Sequence, residues 1–104
     1  MSEIHNAIAK GIAKELGVKC HTIQADNSNP NADWYWLKWK GTSHNDTVGA
    51  WLHDAIIIQL YNGRIYLNSD TPTDTNYLCN LSNPDLINII KTGINNDPRI
   101  NRKF

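Results

Sequence analysis

Between Trp34 and Trp39 the chain places three tryptophans and a tyrosine in six residues, with Lys38 and Lys40 set alternately among them. Aromatic faces stack on unpaired bases and ammonium groups neutralise phosphates, so this mixture can build a platform for single-stranded nucleic acid. The same residue types also dominate the energetic centres of protein–protein interfaces. A third use is packing, with lysine stems lying across the rings or a helix covering them.

The other reactive types are sparse. His44 lies near Asp46 and His53 beside Asp54, and a histidine held by a carboxylate can serve as a general base. No nucleophile motif, glycine-rich phosphate loop or paired-carboxylate spacing accompanies either one. No catalytic residue is therefore assigned, and the chain reads as a non-enzyme. Cys20-His21 lacks the second short-spaced pair of a structural zinc site and Cys79 stands alone, so no metal site and no cofactor is expected. Two such cysteines are most simply buried thiols in a reducing compartment.

The elements that would position the aromatic run follow from periodicity. Ile4, Ile8, Ile12 and Leu16, with Ala7, Ala9 and Ala13 beside them, form one helical face. Ser2 is placed to cap that helix, and Gly17 suits the left-handed residue that ends it. Val18 to Ala25 leans towards a strand with Val18, Cys20 and Thr22 on one side. After the turn-forming stretch from Asp26 to Asp33, the aromatic run reads as a second strand. Alternation sends Tyr35, Leu37 and Trp39 to one face and Trp34, Trp36, Lys38 and Lys40 to the other.

Asn62-Gly63, flanked by β-branched and aromatic residues, is a hairpin signature. A two-residue turn there pairs Tyr61 with Arg64, Leu60 with Ile65, Gln59 with Tyr66 and Ile58 with Leu67. One face then holds Ile56, Ile58, Leu60, Ile65 and Leu67 as core. The opposite face adds Tyr61, Arg64 and Tyr66 to the aromatic-basic set. Thr71 to Tyr77 reads as a loop. Asn83 is placed as the cap of a second helix, with Pro84 at its first position, Leu86, Ile87 and Ile90 inward and Gly93 at its close. The expected fold is α+β: an antiparallel sheet of about four strands with a central Asn-Gly hairpin, flanked by an N-terminal and a C-terminal helix. Residues 1–94 form the domain and residues 95–104, with Arg99, Arg102 and Lys103, a basic tail.

Composition decides among the uses of the aromatic face. Ten basic residues balance ten acidic ones in 104, and the isoelectric point is near 6.9. Duplex-DNA binders are usually strongly basic, so nucleic acid is disfavoured, while low charge opposes association little. The N-terminal segment lacks the basic start and apolar core of a signal peptide, and no apolar run reaches membrane-spanning length. A cytoplasmic location is expected.

The order of a leading helix, "VKCHTIQAD", "YWLKWKG" and "IIIQLYNGRIYLNSDTPTD" resembles that of the cyanobacterial excision-controlling-factor family, the XisI-like proteins. The likeness spans roughly residues 3 to 90. It departs in the long polar stretch between Gly41 and Asp54 and in the absence of that family's closing apolar strand. The resemblance implies a small non-enzymatic accessory protein that acts with a partner in mobile-element or defence biology, and it transfers no catalytic residue.

The reading is association, as a homo-oligomer or with a partner protein. Trp34 and Trp36 act as anchors, Tyr61 and Tyr66 extend the patch, and Lys38, Lys40 and Arg64 set orientation. The alternative is a single-stranded nucleic-acid module using the same residues.

Overall fold

The computed structural model describes residues 3–23, 32–39, 55–68, 76–98, 100 and 103–104. Ser2, Lys40, His44, Asp46, His53, Asp54, Arg99 and Arg102, all named above, lie outside them. The described chain runs α1 (Glu3–Leu16), β1 (Val18–Ile23), β2 (Ala32–Trp39), β3 (Ala55–Tyr61), β4 (Arg64–Leu67), β5 (Tyr77–Asn80) and α2 (Leu86–Asn96). The five strands form one antiparallel sheet in chain order, β1-β2-β3-β4-β5, with a helix at either end of the sequence. The fold is α+β as expected, with one strand more than the four foreseen.

The hairpin register is the one its turn dictates: Tyr61 opposes Arg64, Leu60 opposes Ile65, Gln59 opposes Tyr66 and Ile58 opposes Leu67. Asn62 and Gly63 both take positive φ, 56° and 75°. That is the pair of left-handed residues whose twist matches the strands they join. Asn68 prolongs the pairing beyond the last strand residue. Its backbone N–H donates to the carbonyl of Ile57, and its side-chain oxygen accepts from the N–H of Ile57 at 2.9 Å.

Period-two alternation places Tyr35, Leu37 and Trp39 of β2 with Ile56, Ile58, Leu60, Ile65 and Leu67 on one side of the sheet. Ala9, Ile12, Ala13 and Leu16 of α1 and Ile90 and Ile94 of α2 join them in a single buried cluster. The foreseen helical stripe is shifted by a turn, because Ile4 is 72% exposed. The helix turns inward only from Ile8 onwards. Gly17, at φ 72°, ends α1 as expected.

The second helix differs more. It begins at Leu86, and Asn83 caps no helix; its side-chain oxygen instead accepts from the N–H of Asp85 at 2.9 Å, in the turn before it. Gly93 does not close the helix, which continues to Asn96. A Cβ at this position would lie 2.8 Å from Leu78 Cδ2, so glycine is what allows α2 to approach β5 this closely. Leu78 reaches that position through a bulge: Ile65 opposes Cys79 and Tyr66 opposes Tyr77, leaving Leu78 as the extra residue.

The segment foreseen as a tail is tied to the domain at its described positions. Ile100 belongs to the core cluster. Lys103 Nζ donates to the carbonyls of Ile94 and Asp97, capping the end of α2, and the Phe104 ring stands 4.6 Å from that of Trp39. No helix is long and apolar enough to cross a membrane among the described residues.

Candidate functional site

The sheet face turned away from the helices gathers the expected set. Register places Trp34 opposite Gln59 and Gln59 opposite Tyr66, which in turn opposes Tyr77, a cross-strand row over four strands. Trp36 and Lys38 follow along β2, and Tyr61 and Arg64 flank the hairpin turn. Lys40 lies outside the described residues.

Exposure divides this set in two. Trp34 and Tyr66 are buried and Lys38 is only 2% exposed, while Trp36 and Tyr61 are half-buried. Gln59, between Trp34 and Tyr66, is fully buried as well. Of the two described cations assigned to the face, only Arg64 stands in solvent. A lysine as enclosed as Lys38 does not present its charge to a phosphate backbone, so the β2 half of the platform is packing.

What remains accessible lies at the hairpin end, and it includes a residue that sequence reasoning left in a loop. Tyr77 is 47% exposed. Its ring centroid is 5.8 Å from that of Tyr66, and the Arg64 guanidinium carbon is 6.0 Å above its centroid. That is the outer limit of a cation–π contact. The Tyr77 hydroxyl donates to Asn80 Oδ1 at 2.9 Å, which steers the ring along the strand. Tyr61, Arg64, Tyr66 and Tyr77 thus make one surface around the Asn62-Gly63 turn. The "TNYLCN" stretch gave no alternating signal, because the bulge turns both Leu78 and Cys79 towards the helices.

A second polar cluster, also unforeseen, joins α1 to β2 on the helix side. His5 Nδ1 donates to Asp33 Oδ2 at 2.7 Å, and the Tyr35 hydroxyl donates to Asn6 Oδ1 at 2.7 Å. These partners are 28 and 29 residues apart, so no local pattern could reveal them. Burial, with the Asp33 carboxylate and Cys20 adding to it, holds the Tyr35 hydroxyl well above its ordinary range. Burial pushes the Cys20 thiol up against the opposing pull of the Lys10 ammonium, and it raises the Cys79 thiol too. Both thiols stay protonated near neutral pH and are poor nucleophiles. The cluster therefore fastens the first turn of α1 to the sheet. No group of three or more His, Cys, Asp or Glu side chains is placed to hold a metal ion among the described residues.

Compared with family models, with curated proteins and with solved structures, the chain matches none.

Proposed function

We propose that the protein works by association with another polypeptide, a second copy of itself included, through the Tyr61–Arg64–Tyr66–Tyr77 surface. The observation that carries this reading is the accessible arginine stacked over an exposed tyrosine at the end of a buried aromatic row. Tyrosine and arginine on a rigid sheet offer large contact area at low entropic cost. The resemblance to the excision-controlling family adds the setting, an accessory role beside a partner in mobile-element or defence biology without catalysis of its own. Trp36, half-buried at the border, extends the contact; Trp34 supports it from beneath.

Light scattering coupled to size exclusion tests the self-association branch. We expect the mass of two chains at low and at high salt, and of one chain for Arg64→Ala combined with Tyr77→Ala, with the circular dichroism unchanged. Trp36→Ala is expected to weaken the dimer while leaving the monomer folded. A monomer at every concentration that binds fluorescent oligothymidylate, with affinity falling steeply in salt, would replace this reading with the nucleic-acid one.

A further inference from the structure

The surface just described lies on one side of β5; the other side of the same strand is built differently. β5 is the last strand of the sheet, and among the described residues no strand pairs with its outer edge. An open edge offers alternate N–H and C=O groups to a further strand. Beside it runs a stripe of α2 separate from the core stripe: Asp85, just before the helix, then Asn88, Ile89, Thr92 and Asn96 at helical spacing.

Two hollows open between β5 and this stripe, end to end along α2 and both bordered by Leu78 and Gly93. One, of about 390 Å³, has Leu67 and Leu78 in its floor and Asn76, Asn96 and Asp97 around it. The other, of about 590 Å³, has Leu78 and Ile89 in its floor and Asp85, Asn88 and Thr92 around it. Gly93 shapes both, since any side chain there would run into Leu78. The two hollows share a plan of apolar floor, amide or hydroxyl flank and one carboxyl group. No cation lines either one; Lys103 is engaged with the carbonyls of Ile94 and Asp97. The Asp97 carboxylate accepts from Asn68 Nδ2 through one oxygen at 3.3 Å and has further lone pairs to offer.

We propose that this groove takes an extended peptide as a sixth strand on β5, with lysine or arginine at two positions two residues apart. The backbone follows from the open edge. The spacing follows from strand geometry, because residues i and i+2 point to the same face about 6.6–6.8 Å apart and so straddle Leu78. The side-chain type follows from the shared plan: a long apolar stem covers the floor while its cationic head reaches the carboxylate. This site differs from the hairpin-end surface in occupant and in residues, Tyr77 alone bordering both.

The probes are fluorescein-labelled octapeptides, read by anisotropy with the full-length chain. One alternates lysine and valine, and a second carries glutamate in place of lysine. Two further versions of the lysine peptide are N-methylated, on every lysine or on every valine, so that each has one hydrogen-bonding edge blocked. We expect saturable binding of the lysine peptide and at least about tenfold weaker binding of the glutamate peptide, with one methylated version retained and the other lost. Thr92→Arg, which sets a cation in the larger hollow, should abolish binding. Asp85→Asn should weaken it about two- to fivefold, the scale of an exposed ion pair. Arg64→Ala should leave it unchanged, so failure here and failure of the hairpin-end surface are distinguishable. Equal binding of the lysine and glutamate peptides, the same outcome for both methylated versions, or no saturation below about 1 mM overturns the proposal.

Discussion

Replacing Tyr35 by alanine is expected to cost about 3–5 kcal/mol, the scale of removing a buried aromatic side chain and leaving its cavity. Tyr35 is 1% exposed in the middle of the core cluster, on the strand that pairs with both β1 and β3. A domain of this size has only about 5–15 kcal/mol of stability in all, so the variant should melt more than about 10 °C lower or fail to fold. Tyr35→Phe keeps the ring and removes only the bond to Asn6 Oδ1, for a loss of about 1 kcal/mol. Urea titration of the pair separates the two contributions. Equal losses from both variants would mean that the hydroxyl, not the ring, carries the stability at this position.

The same side chain makes the fold sensitive to alkali, and the sign follows from its environment. Burial holds the folded-state hydroxyl protonated above the ordinary tyrosine value of 10. In alkali above that value the unfolded chain releases the proton and the folded chain keeps it, so the folded state binds more protons and stability falls as pH rises. The contribution is complete below pH 10 and is lost progressively towards the folded value. Tyr35→Phe should flatten the stability curve in that range. An unchanged slope would place the alkaline loss on other groups.

What could be read in advance depended on how local its cause was. The Asn62-Gly63 turn sets its own register, so the four pairs of the hairpin and the five aliphatic residues beneath it followed from sequence alone. Alternation along β2 correctly separated Tyr35, Leu37 and Trp39 from Trp34, Trp36 and Lys38, but it carries no information on what covers a face. Lys38 looked like a solvated cation for that reason. β5 was hidden by its shortness and its bulge, which breaks the period of two at Leu78. Gly93 looked like a helix end because glycine usually marks one. Its actual role, room for a side chain 15 positions earlier, belongs to packing and leaves no mark in the local sequence. The His5–Asp33 contact is illegible on the same ground.

Ile100→Ala carries the second large expectation, a loss of about 2–4 kcal/mol in urea titration, within the range for truncating a buried aliphatic side chain. The alternation of polar and basic residues around it suggested a solvated end, where such a change would be nearly silent. Ile100 is instead 3% exposed within the core cluster, and its N–H donates to the carbonyl of Asp97 at 3.2 Å. Phe104→Ala is the control. Its ring meets only Trp39 among the described aromatics and stays substantially exposed, so its loss should remain near about 1 kcal/mol. The consequence reaches the groove beside β5. Asp97 lines one of its hollows and is held by Asn68 and by the short run of chain that Ile100 anchors. Loosening Ile100 should therefore weaken the lysine peptide more than it weakens the dimer. The reverse order would mean that Asp97 is positioned from the sheet, through Asn68, rather than from the end of the chain.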